Sequence, residues 1–293
     1  MLFGSHVSIA ARLRQGSGGQ GGVSNALFNA AAIGCEVFQL FSRSPRGGPA
    51  PVLSKEIVAQ FKEAMKDNNQ AAAYIHAPYY INLASSNDKI RLASIKIIRE
   101  ELERASTLGV KYIMTHLGSA GDTPRNTAVK KVASSVLKIL SGYKGAALLL
   151  LENSAGSGNV IGDKFEELAS MIKILPASMK NKIGVCLDTC HAFASGYDLR
   201  NAKAVNETLK QFDKIIGLKY LKLIHCNDSK TELGKHVDRH HHLGKGQIGL
   251  AGFKALVQNS KLKNVNFIVE TNDDNGGPAG DLKILKKLRT AIS

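Results

Sequence analysis

Short apolar, β-branched runs alternate along the chain with longer stretches of helical period, and the alternation repeats about every forty residues. Runs at 2–8, 36–41, 71–75, 111–115, 147–151, 182–187, 220–224 and 266–269 have the length and composition of buried strands. Helical patterns over 24–33, 54–68, 87–109, 126–140, 163–175, 202–215, 250–258 and 281–290 follow them in turn. The punctuation agrees: Gly34 and Gly109 stand where helices end, and Asn87 or Asp88 stands where one begins. Eight strand–helix units in regular succession predict an α/β fold, a (β/α)8 TIM barrel built as a single domain over residues 1–293.

Six of the eight runs end on a residue able to hold a metal. In order these are His76, His116, Glu152, Asp188, His225 and Glu270, spaced 40, 36, 36, 37 and 45 apart. In a parallel barrel every strand opens its C-terminal end onto one face, so residues one unit apart in sequence converge in space there. A lone histidine at a strand end is ordinarily a satisfied core or surface residue; six consecutive coincidences point to a metal site. Two clusters lie just beyond strand ends. Asp188 and His191 are three apart and able to face one cavity, and Asp238 and His240 are two apart, on one side of an extended segment. His241 falls on the opposite side, His242 reads as structural or surface, and His6 is a weaker candidate. Nine donors, five histidines and four carboxylates, exceed what one tetrahedral zinc takes. They suit two or three ions sharing a carboxylate, zinc or manganese rather than magnesium.

Composition narrows the partners. No apolar run approaches the roughly 20 residues that cross a bilayer, so no membrane association is expected. The start, MLFGSHVS, has no charged segment followed by an apolar one, which argues against a signal peptide. Cys35, Cys186, Cys190 and Cys226 form no CxxC pair and read as reduced core residues of a cytoplasmic protein. Cys186 and Cys190 are conceivable ligands, but Asp188 and His191 explain a metal more simply. The net charge of +15 favours a polyanion through counterion release. Lysines spread along the helices fit a solubilising surface equally well.

The motifs carrying the candidate ligands resemble those of the endonuclease IV family of apurinic/apyrimidinic (AP) endonucleases. They are His76-Ala-Pro-Tyr79-Tyr80-Ile-Asn82-Leu, Leu151-Glu152-Asn-Ser-Ala-Gly156, Val185-Cys-Leu-Asp188-Thr-Cys-His191-Ala-Phe-Ala-Ser-Gly-Tyr-Asp198, His225-Cys-Asn-Asp228-Ser-Lys230 and Val237-Asp238-Arg-His240-His-His-Leu-Gly244. The resemblance runs from about Phe3 to the last helix. It implies three zinc ions per chain, with manganese possible at some positions. His76 and His116 would hold the first, Glu152 would bridge it to a second completed by Asp188, His225 and Glu270, and His191, Asp238 and His240 would hold the third. It also implies a monomer that cuts double-stranded DNA 5′ to abasic sites and clears 3′-blocked ends, nucleoid-associated if the cell is bacterial. Glu152 and Glu270 would be catalytic, and Arg46, Tyr79, Tyr80 and Lys230 would meet DNA. Asn227, Asp228 and Lys230 read as residues that support the ligands or face DNA.

The chain departs from the family pattern in a longer Gly-rich stretch at 14–22, in having no Trp near Gly48, and in carrying Tyr80 where an aliphatic residue is common. These touch DNA handling before chemistry. Two other readings compete: a sugar isomerase or epimerase on a related barrel, needing fewer metals, and a non-catalytic binder of damaged DNA, which would tolerate loss of a ligand.

Overall fold

The computed structural model describes residues 1–10 and 22–290. The Gly-rich stretch at 14–22 lies, apart from Gly22, outside the described residues. In chain order the elements are β1 (Phe3–His6), α1 (Asn25–Ala32), β2 (Val37–Leu40), α2 (Lys55–Asp67), β3 (Ala73–His76), α3 (Asp88–Leu108), β4 (Tyr112–Thr115) and α4 (Arg125–Leu140). They continue with β5 (Leu148–Glu152), α5 (Phe165–Lys173), β6 (Ile183–Asp188), α6 (Thr189–Ala194), α7 (Ala202–Ile215) and β7 (Leu221–His225). A two-residue pair, β8 (Asp228–Ser229) and β9 (His240–His241), precedes α8 (Gly249–Val257), β10 (Asn266–Val269) and α9 (Gly277–Thr290). Eight strands close a parallel barrel in the order β1-β2-β3-β4-β5-β6-β7-β10. The TIM barrel expected from the alternation is therefore the fold.

Local chemistry sets the units. Ser54 caps α2 by accepting from the Ile57 N–H, and Asn87 caps α3 by accepting from Lys89 and Ile90. Gly109, at φ 79°, ends α3 in the left-handed conformation that glycine adopts without strain. Besides the short β8–β9 pair, which lies in a stretch read as polar loop, two helices differ from the sequence reading. Helix α9 begins at Gly277 rather than at 281, because Pro278 in a first turn needs no N–H partner although Gly-Pro reads as loop. Helix α6 is invisible in the sequence pattern, since all six of its residues are buried and it has no polar face to create a period.

The core has two parts. The large one lies between barrel and helices, and the smaller one fills the barrel with Val37, Tyr74, Met114, Leu150, Cys186, Leu223 and Ile268. At the matching place on β1 stands Gly4, where any Cβ would collide with the Val37 carbonyl, so the strands approach closely there. Strand side chains repeat their direction every second residue. Two residues beyond this apolar layer, at the same phase, stand His6, Gln39, His76, His116, Glu152, Asp188, His225 and Glu270. The layer below is the floor of the site.

Candidate metal centre

The nine candidate ligands fall into three groups at the C-terminal mouth of the barrel. His76, His116 and Glu152 form the first, Glu152, Asp188, His225 and Glu270 the second, and His191, Asp238 and His240 the third. In each, one donor atom per residue lies within 4.8 Å of the others. Glu152 Oε2 sits 3.6 Å from His76 Nε2 and 3.3 Å from His116 Nε2, while its Oε1 sits 2.9 Å from His225 Nδ1. Its two oxygens thus serve two groups. His225 Nδ1 is also 3.2 Å from Glu270 Oε2. In the third group His191 Nε2 is 3.1 Å and His240 Nε2 3.3 Å from the two oxygens of Asp238. Asp188 Oδ2, 3.6 Å from His240 Nε2, lies between the second and third.

The far nitrogen of three imidazoles is tied down, which decides the face each presents. His76 Nδ1 donates to the Ala77 carbonyl at 2.6 Å and His191 Nδ1 to the Asn153 carbonyl at 2.9 Å, so both turn Nε2 inward. His225 is the reverse: its Nε2 donates to Gln39 Oε1 at 2.8 Å and its Nδ1 faces the carboxylates. Gln39 also donates through Nε2 to Glu270 Oε1 at 2.6 Å and lies 2.9 Å from His6 Nδ1. Sequence reasoning missed Gln39, although it stands at the same inward phase of β2 as the ligands do on their strands. Asn227 donates to Asp188 Oδ2 at 2.7 Å and accepts from the Glu270 N–H at 2.8 Å, a strut between two candidate ligands.

Electrostatics and unsatisfied atoms test whether cations fit. Burial opposes ionisation of Glu152, yet His225 and His116 hold its carboxyl well below the usual carboxylate range. Burial likewise opposes Glu270, and His225 still draws it down to about 2. Burial disfavours protonation of His191, but Asp188 and Asp238 raise it well above its ordinary value. The gathered carboxylates hold protons on His116, His191 and His225, positive charge that a bound cation would supply in their place. Among the described residues, Glu152 Oε2, His191 Nε2 and His240 Nε2 are buried without a hydrogen-bond partner. Buried polar atoms are nearly always satisfied, and these three aim into the groups, so mixed imidazole–carboxylate pockets for zinc-like ions fit the residues present. Cys186 can join Glu152 and His225, and Cys190 can join Asp188 and His240. Burial pushes the Cys186 thiol up to about 12 and Cys190 further, so both stay protonated beside carboxylates that are already ionised.

A cavity of about 340 Å³ opens over the centre, lined by His6, His76, Tyr79, His116, Asp238 and Glu270 among others. Tyr79 is 62% exposed on its rim, with ring contacts to Phe41 at 5.1 Å and His76 at 5.6 Å. Tyr80 is half-exposed, Arg46 is exposed on the loop between β2 and α2, and Lys230 is exposed beside His240 and His241. His6 stays outside the three groups, its ring 4.4 Å from Phe41, and burial lowers its pKa to about 3. Asp228 neither touches a ligand nor faces solvent. It is buried and accepts from the N–H groups of Ser229, Gly244, Gly246, Ile248 and Gly249, which closes the loop between β8 and α8. His242 is structural: Nδ1 donates to Asp281 and Nε2 to Asp274, each at 2.8 Å.

Comparison with known proteins converges on one family. A family model described as a xylose isomerase-like TIM barrel matches residues 27–290. The chain is 39% identical over 276 residues to "Probable endonuclease 4" of Nitrosopumilus maritimus, covering 94% of each. It superposes on the crystal structure of endonuclease IV from Thermus thermophilus with a TM-score of 0.85 and 33% identity, covering 99% of this chain and 100% of that one. A D-tagatose 3-epimerase-like protein shares the fold, with a TM-score of 0.73 at 18% identity over 100% of this chain and 98% of the other.

Proposed function

The chain belongs to the endonuclease IV family of AP endonucleases, and from that premise we propose that it hydrolyses the phosphodiester 5′ to an abasic site in duplex DNA. The products are a 3′-hydroxyl and a 5′-deoxyribose phosphate, and 3′-blocking groups are removed at the same site. The observation that carries this is Glu152, buried with one oxygen toward His76 and His116 and the other toward His225, behind the open cavity that His76 and His116 line. Zinc ions in the three pockets, with manganese able to substitute at some, would provide a nucleophile at neutral pH and positive charge opposite the phosphate oxygens.

The chain's own residues do the rest. Glu152, buried and ionised, holds the first two pockets at a fixed separation. Glu270 keeps part of its side chain open to the cavity, 16% exposed, and orients the attacking water beside the scissile phosphate. Gln39 and Asn227 fix the faces of His225, Asp188 and Glu270, so little reorganisation accompanies reaction. Tyr79 and Tyr80 past β3 and Arg46 on the neighbouring loop past β2 engage the duplex where the abasic nucleotide is extruded, and exposed Lys230 contributes phosphate contact. The enzyme acts as a monomer in the cytoplasm, in keeping with its free, buried cysteines. Among the described residues no helix is long and apolar enough to cross a membrane. A sugar epimerase would leave His191, Asp238 and His240 without a task, and the likeness to the epimerase-like protein extends to the fold alone.

The test is incision of a duplex with one abasic site by the zinc-replete protein, with both new ends identified. The expected 3′ end is a hydroxyl that a polymerase extends directly. No incision, or an unsaturated aldehyde left by β-elimination, would refute the reading.

A further inference from the structure

Besides Asp228, a second fully buried carboxylate lies outside the metal centre. Glu101, on α3, is 0% exposed and faces the start of the loop at 41–54, which joins β2 to α2. Its Oε2 accepts from the Ser42 hydroxyl at 2.5 Å and its Oε1 from Arg43 Nε at 2.6 Å, while Arg104 Nε stands 3.6 Å away. Arg104 in turn donates to the Ser42 carbonyl and to the Pro51 carbonyl, each at 2.7 Å, so one guanidinium grips both ends of the loop. Arg43 reaches on to Glu100 at 2.7 Å.

Between these grips little holds the loop. The Gly47 N–H meets the Ser44 carbonyl at 3.4 Å, the Arg46 N–H meets Ser44 Oγ at 3.3 Å, and Gly47 and Gly48 take φ of 118° and 97°. At the near grip, Phe41 precedes Ser42 and packs its ring 5.4 Å from that of His76 and 5.1 Å from that of Tyr79. The register of Ser42 therefore sets where Phe41 meets the rim and where Arg46 projects. Burying a carboxylate between guanidiniums seldom stabilises more than apolar packing of equal volume would. What such a network secures is one geometry, because each charge is left buried and unpaired if the loop moves.

We propose that Glu101 is a positioning residue that preorganises the 41–54 loop for DNA, acting through Ser42, Arg43 and Arg104 without touching metal or substrate. This rests on the reading of that loop as DNA-facing. Preorganisation lowers the cost of ordering on binding, so its loss raises KM and leaves kcat in place.

The experiment uses the full zinc-replete chain with Glu101→Gln, which keeps shape, and Ser42→Ala, which removes one grip. Three quantities are read: amide hydrogen exchange of residues 43–50 without DNA, KM and kcat on an abasic duplex, and zinc per chain. We expect exchange about tenfold faster in that segment, KM raised about tenfold with kcat within about twofold, and zinc unchanged. Should Glu101→Gln not fold, Ser42→Ala carries the same readouts with smaller shifts. Unchanged loop exchange overturns the proposal, as does faster exchange with unaltered KM, which would make Glu101 merely structural. A wild-type chain that leaves abasic DNA uncut overturns instead the function on which the proposal rests, while the exchange result still decides the anchoring.

Discussion

The candidate metal centre is made from two kinds of scaffold. His76, Glu152, Asp188 and His225 end strands, and His116 and Glu270 directly follow them, so the barrel's own register aims these six. His191, Asp238 and His240 sit instead on α6 and on the connection between β7 and α8, where no eight-strand register reaches. That connection is held by buried carboxylates. Asp228 gathers five N–H groups, and Asp281 receives the Leu243 N–H, His242 and Thr271 at 2.9, 2.8 and 2.6 Å. It is also pinned to its neighbours through the Gly234 and His236 N–H groups on the Phe193 and Ala194 carbonyls. The strand-borne pockets come with the fold, while the third pocket depends on side chains that organise a loop. A scaffold defect should therefore empty the third pocket first.

The largest effect is expected at Glu152, which serves both strand-borne pockets. Glu152→Gln keeps shape and removes the charge, and turnover should fall by about 10³-fold while abasic duplex is still bound; steady-state kinetics with a binding assay checks this. Near wild-type turnover at full metal occupancy would remove Glu152 from the centre. Next comes His240→Ala, which should lower bound zinc from about three to about two ions per chain and reduce turnover less than Glu152→Gln does. Native mass spectrometry reads the count; loss of all three ions together would merge the two scaffolds into one.

A smaller effect sharpens the contrast without touching a ligand. Asp228→Asn leaves five N–H groups facing a weaker acceptor, and should cost about 1–3 kcal/mol of stability and about tenfold in affinity for one ion of three. Thermal denaturation and competition with a chelator measure both, and equal weakening of all three ions would contradict the division. The smallest effect lies at the opposite end of the barrel, where residues serve stability rather than chemistry. Burial opposes ionisation of Glu36, but Arg289 holds its pKa below 4.5. A depressed carboxylate contributes stability above its unfolded pKa and loses it as pH falls from 4.5 through the folded value. Glu36 and Arg289 are partly open to solvent, 25% and 33% of their side chains, so screening holds the contribution to about 1 kcal/mol or less. Acid unfolding curves of wild type and Glu36→Gln should converge below that window, and turnover at neutral pH should not change.

The same contrast explains what could be read from the sequence. The strand-borne candidates announce themselves because each ends an apolar run and the runs recur at one barrel unit, a pattern that needs no homologue. His191, Asp238 and His240 carry no such period, and their grouping is legible through the resemblance of whole motifs. Gln39 escapes notice since an amide among apolar neighbours is chemically neutral on paper; only closure of β2 against β1 and β3 brings it to His225 and Glu270. Asp228 reads as a residue that supports the ligands or faces DNA, because its place in the sequence directly follows the His225 motif. Glycines at 244, 246 and 249 allow the backbone to wrap it instead. The network of Glu101 links α3 to a loop some sixty residues earlier, a pairing that no local pattern encodes.

The most direct test of the whole account is the number of zinc ions per chain in protein that is fully active on abasic duplex, measured by elemental analysis against amino-acid quantitation. Three donor groups, the first two of them sharing Glu152, predict about three. Full activity with a single ion per chain would contradict the account.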